Sequence, residues 1–102
     1  MLKLVIFIPK THSDQLKERL WEAGLGKQGE YENCAFTSDG IGSFKPLEGA
    51  NPTIGNNFDF EKVEEHRVEM LCEEKLKEIA INTIKKYHPY EAPAYEFYKI
   101  YT

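Results

Sequence analysis

Apolar residues first gather at Leu2–Ile8 (LKLVIFI), a short, β-branched and almost unbroken run. That pattern predicts a central strand, paired on both edges and covered on one face. Pro9 ends it. Thr11 and Ser13 are helix N-cap candidates and Asp14 suits a first turn. Leu16, Leu20 and Ala23 then recur at helical spacing, with Lys17, Glu18 and Arg19 facing solvent, and Gly24 and Gly26 stop the helix. Tyr31–Thr37 alternates and predicts a second strand. Asp39-Gly40-Ile41-Gly42 reads as turn or bulge chemistry.

Val63–Leu71 alternates again. Val63, Glu65, Arg67, Glu69 and Leu71 fall on one face, and Glu64, His66, Val68 and Met70 on the other. Glu73 and Glu74 open a second helix whose buried stripe is Leu76, Ile79, Ala80, Thr83, Ile84 and Tyr87. Lys85 and Lys86 suit its last turn, and His88-Pro89 ends it. Ala94–Tyr101 alternates as a final strand. The order β-α-β-β-α-β predicts an α+β, ferredoxin-like sandwich: a four-stranded antiparallel sheet with both helices on one face. The other face carries aromatic and apolar residues among its charges, so a covering partner is expected there.

The chain has 102 residues, which fits one domain spanning 1–102. A hydrophobic share of 41% with thirteen aromatics supports one modest core. The net charge of −4 argues against nucleic acid or an anionic membrane as partner. No apolar run approaches the roughly 20 residues of a membrane span. The first run lacks a basic leader and a small-residue cleavage site. Cys34 and Cys72 form no CxxC pair and read as free thiols, so a cytoplasmic location is expected.

GSFKPLEGANPTIG, Gly42–Gly55, belongs to neither periodic pattern. It sits within an irregular loop expected over about 40–57. Loops of this length are commonly functional or disordered, and the regular Gly and Pro punctuation favours order.

GEYENCAFTSDGIGSFKPLEGANPTIG, VEEHRVEML and KYHPYEAPAYEFY, in that order, resemble the PII/CutA-like domain of the YqfO, or Nif-three-like, family. The similarity covers essentially the whole chain. In that family the domain is an insert in a larger protein and also occurs as a short independent chain. The resemblance implies the same ferredoxin-like fold and a homotrimer like those of PII and CutA proteins. The larger members bind two metal ions through flanking domains, and those flanks do not occur in this sequence. HPYE usually continues with a second acidic residue. Here the position is Ala92, followed by Pro93.

Three constellations are candidates for chemistry. The loop offers Gly40, Gly42, Phe44, Lys45, Asn51 and Gly55 to a ligand, or else packs the loop against a neighbouring subunit. The turn offers His88, Tyr90 and Glu91 as ligand contacts, or else caps the helix with His88 on its last carbonyls. Cys34, His66, His88 and Glu91 are the soft and acidic donors for a divalent metal. Cys72, Glu69 and His12 stand behind them, though no pair has metal-motif spacing. The plainer reading makes the cysteines small apolar residues and His66 a subunit contact. Arg67 with Glu69 suggests an ion pair across a trimer interface.

No nucleophile elbow, cofactor fingerprint or catalytic pair occurs. The expected function is therefore non-catalytic and regulatory, with no catalytic residues. It is a trimer binding a small molecule or divalent metal in intersubunit clefts lined by the loop and the HPYE turn. The alternatives are an interaction module that docks on a larger protein partner, and an enzyme of unknown type.

Overall fold

The computed structural model describes all residues, 1–102. Four strands form one antiparallel sheet in the order β2-β3-β1-β4, with β1 at Leu2–Pro9, β2 at Phe36–Phe44, β3 at Glu61–Cys72 and β4 at Ala94–Lys99. Helices α1 (Ser13–Glu22) and α2 (Lys77–Tyr87) pack together on one face. This is the ferredoxin-like arrangement that the alternation and element order predict.

The register explains which residues are buried. Leu2, Leu4, Ile6 and Ile8 lie opposite Cys72, Met70, Val68 and His66 of β3. Paired side chains share a face, so this set faces the helices. It meets Leu16 and Leu20 from α1 and Ala80 and Ile84 from α2, forming the core. Tyr95 and Phe97 extend the core from β4. The α2 stripe is narrower than its periodicity suggests, because Ile79 remains 47% exposed.

Three boundaries differ from the sequence reading. The second strand is not Tyr31–Thr37. It starts at Phe36 and runs through Asp39-Gly40-Ile41-Gly42, which is strand and not turn, so the irregular segment begins at Lys45. An edge strand tolerates glycine because half of its ladder is unpaired, and continuous pairing to β3 from Phe36↔Glu69 to Phe44↔Glu61 holds it extended. Second, neither Thr11 nor Ser13 caps α1. His12 occupies the cap without a side-chain bond, and the Ser13 hydroxyl is buried. Third, β4 stops at Lys99, and Tyr101 is almost fully exposed.

The segment before β2 is clasped instead of paired. Gly26, at φ +72, donates its N–H to Leu71 O and accepts the Cys34 N–H. The Trp21 indole N–H donates to Cys34 O. A Cβ at Gly26 would collide with Cys34 O and the Trp21 ring, so glycine is required there.

Candidate functional site

The remaining face of the sheet has no helix layer. Its positions are Lys3, Val5 and Phe7 of β1, the odd-numbered residues of β3, the even-numbered residues of β2, and Ala94, Glu96 and Tyr98 of β4. Phe36 and Tyr98 stand 66% and 48% exposed on it. Arg67 lies over the Phe7 ring at 5.5 Å and approaches Glu69 at 3.6 Å. That Arg–Glu contact, expected across subunits, forms within one protomer.

At one end of this open face, where β1 finishes, the chain builds a cleft of about 370 Å³. Its floor is Phe7, Gly42, Glu65 and Ala94 of the sheet. One wall is Phe44 at the end of β2 and the irregular segment that follows it, with Pro46, Pro52 and Ile54. The other is the turn Tyr90-Glu91-Ala92. The volume is at the lower end of small-molecule sites, which run to roughly 300–1,000 Å³.

The two walls are fastened to each other. Asn51 N–H donates to Glu91 Oε1 at 2.9 Å, and Thr53 Oγ1 donates to Pro89 O at 2.7 Å. The rings of Phe44 and Tyr90 meet edge-on at 5.7 Å. Within the 45–60 segment, Asn57 Nδ2 donates to Glu48 O and Ala50 O. A long loop so tied is an ordered wall.

His88 anchors the turn to the core. It is 6% exposed, with Nε2 at 2.8 Å from Phe7 O of β1 and Nδ1 at 3.2 Å from the Tyr90 N–H. An amide N–H at Nδ1 fixes the neutral tautomer with its proton on Nε2, which donates to the carbonyl. Burial lowers the His88 pKa below its ordinary 6.5, and the Phe7 carbonyl and Glu65 oppose this only in part. His88 caps α2 with its backbone N–H, which donates to Ile84 O at 2.8 Å, while its ring turns to β1 and leaves the last carbonyls of the helix to the main chain.

Tyr90 leans over the floor and its hydroxyl donates to Glu65 Oε2 at 3.1 Å. Burial first, and then the Glu65 carboxylate, raise its pKa above the tyrosine range. A phenol held protonated in this way is neither base nor nucleophile at neutral pH. Gly42 makes room for the pair, since a Cβ there would overlap the Glu65 carboxylate.

The expected ligand residues thus divide. Gly42, Phe44, Lys45, Tyr90 and Glu91 line the cleft. Asn51 and His88 hold its walls, and Gly40 and Gly55 lie outside it. The loop and HPYE turn meet within a single protomer. The expected metal donors do not converge. Cys34 precedes β2, His66 faces the helix side and pairs with Asp39 at 3.1 Å, and both His88 nitrogens are occupied. No group of three or more His, Cys, Asp or Glu side chains is placed to hold a metal ion. Glu65 and Phe7 were missed. Glu65 belongs to the charged string Glu64-Glu65-His66-Arg67, which by sequence is either an acidic binding patch or a solvated or intersubunit strand, and only its register against Gly40 and the fold of the turn bring it under Tyr90.

No protein-family model matches the chain. It is 46% identical over 100 residues to a GTP cyclohydrolase 1 type 2 homolog of Halalkalibacterium halodurans, covering 98% of this chain and 27% of that protein. The corresponding Bacillus subtilis protein is 45% identical over 98 residues, covering 96% of this chain and 26% of the relative. A solved Bacillus cereus protein related to NIF3 superposes with a TM-score of 0.81 at 37% identity, over 95% of this chain and 24% of that one. The chain is homologous to one domain of the Nif-three-like proteins. It spans about a quarter of their length. CutA1 from Pyrococcus horikoshii, at TM-score 0.70 and 19% identity over 98% of this chain and 83% of that one, shares the fold. So does the PII-like protein CutA from Nostoc, at 0.71 and 16%, over 98% and 81%. The fold is therefore PII/CutA-like. No helix is long and apolar enough to cross a membrane.

Proposed function

We propose that this Nif-three-like domain is a non-catalytic, regulatory binding module that self-associates through its open sheet face and holds a small ligand in the cleft. The carrying observation is the fastening of the two cleft walls by the Asn51–Glu91 and Thr53–Pro89 bonds, which leaves a preformed, mostly apolar cavity. Self-association is supported by Phe36, Leu71 and Tyr98 on a face without a second layer. A trimer in the cytoplasm is the assembly and location we assign. Gly42, Phe44, Lys45, Tyr90 and Glu91 are its ligand contacts.

One structural neighbour is named a periplasmic divalent cation tolerance protein CutA, which keeps a divalent metal among the ligands to test. With Cys34, His66, His88 and Glu91 dispersed, such an ion would need donors from more than one copy. A second reading is docking on a larger partner through the same open face, which carries exposed Phe36 and Tyr98.

Light scattering with a metal scan on the same peak, followed by thermal-shift screening against small molecules and divalent cations, tests the proposal. A multimer with a stabilising compound whose effect is lost in Ala92→Trp supports it, since that substitution fills the cleft. A monomer with no cleft ligand sinks it and favours docking.

A further inference from the structure

The cleft's polar groups are unevenly spent. The Tyr90 hydroxyl uses its proton on Glu65 Oε2, and the Thr53 hydroxyl uses its proton on Pro89 O. Both therefore offer only lone pairs to a guest. Glu65 Oε1 is free of protein partners, and Glu91 has one oxygen on the Asn51 N–H and the other uncommitted. Side-chain donors are scarce: the cleft has Ser43 and the Lys45 ammonium, both on exposed residues.

Glu65 stands out on charge as well. It is half-buried, its carboxylate lying over Gly42 in the cleft that Phe7 and Phe44 also line, yet no lysine, arginine or histidine lies within ion-pair distance of it. The nearby His88 ring is neutral. A carboxylate partly withdrawn from water, with one phenol as its partner, lacks a counter-charge. Around it the lining is mainly apolar.

We propose that the cleft takes a small organic cation: one amine, amidine or guanidinium group on a flat apolar body, the charge seated on Glu65 and the body against the apolar wall of Phe44, Pro52 and Ile54. This rests on the reading of the cleft as the ligand site. The exposed Lys45 limits the guest to a single positive charge. Tyr90 is a positioning residue, holding Glu65 against the floor.

The test is a protein-observed NMR titration with three probes of one shape: benzamidine, neutral benzamide and anionic benzoate. Benzamidine is expected to shift the amides of Gly42, Phe44, Glu65 and Tyr90 and to bind about tenfold or more tighter than benzamide, the range of a charged hydrogen bond. Benzoate should leave them unmoved. Glu65→Gln should erase the preference. Lys45→Ala, at an exposed position that leaves the fold intact, should tighten benzamidine severalfold. Benzamide or benzoate binding as well as benzamidine would overturn the cation assignment and leave the cleft as a binding site. Silence from all three probes would overturn it too. The cleft itself falls only if the wider thermal-shift screen also yields no ligand sensitive to Ala92→Trp.

Discussion

Ile6 and Val5 are neighbours in β1 with nearly equal exposure, 1% and 2%, but different things bury them. Ile6 lies between Val68 and Tyr95 beneath two helices. Val5 lies between Glu69 and Glu96 on the face that has no helices. Aliphatic stems of charged side chains keep water from a single valine, but they make no second core. Equal burial in one protomer therefore says little about equal contribution. The helix face is complete within the chain. The open face has a finished cleft at one end and aromatic residues exposed along the rest.

Truncating both residues gives the widest contrast. Ile6→Ala should cost about 2–5 kcal/mol in chemical denaturation, since it leaves a cavity in a closed core. Val5→Ala should cost about 1 kcal/mol in dilute protein. That cost should rise with protein concentration if a second copy covers the face. Equal, concentration-independent costs would break the contrast.

The HPYE motif carries the contrast within one turn, with His88 in the core and Tyr90 over the cleft. His88→Ala removes a buried donor and an acceptor, so a loss of about 1–3 kcal/mol is expected. Stability should also depend on pH through this ring. Its folded pKa is depressed, so the unfolded chain binds the proton more readily. The stabilisation is full above the ordinary value of 6.5 and is lost as pH falls below it. Denaturation midpoints on either side of that value, compared with a His88→Gln variant, measure the effect.

Tyr90→Phe deletes one hydrogen bond to Glu65 and should cost about 0.5–1.5 kcal/mol. Gly42→Ala should break the same bond by displacing the carboxylate. Ring-labelled tyrosine NMR should then show the Tyr90 phenol titrating lower than in the parent protein. The smallest effect belongs to Glu91→Ala on the exposed wall. Stability should move by about a few tenths of a kcal/mol, while amide exchange at Asn51 should accelerate markedly. An unchanged Asn51 rate would mean that the walls are not held by that bond.

The fold was legible because apolar runs, alternation and helical stripes survive in the core elements, from the unbroken LKLVIFI to the Ala80–Ile84 stripe. β2 was misplaced because DGIG has turn chemistry, and only the twelve-residue β3 beside it makes it extended. In the reverse direction, the alternation of Tyr31–Ala35 is accidental. Asn33 at φ +58 and the Gln28↔Tyr31 bridge make that stretch a tight excursion. The loop and the HPYE turn could be recognised as special segments. Their meeting could not, because the contacts linking Asn51 to Glu91 and Glu65 to Tyr90 span 40 and 25 residues. His88 is the cap its position suggests, but the partner of its ring was hidden for the same reason: Phe7 lies 81 residues away.

The clasp at Gly26 and Cys34 has an engineering consequence. Both ends of that excursion are pinned by main-chain bonds, to each other and to Leu71, and a Cβ at the exposed Gly29 meets nothing within 4 Å. An epitope or fluorophore-binding peptide spliced after Gly29 would hang from a closed ring of hydrogen bonds. Its motion would be absorbed before reaching β2, which makes this point a natural handle for labelling the protein with the cleft undisturbed.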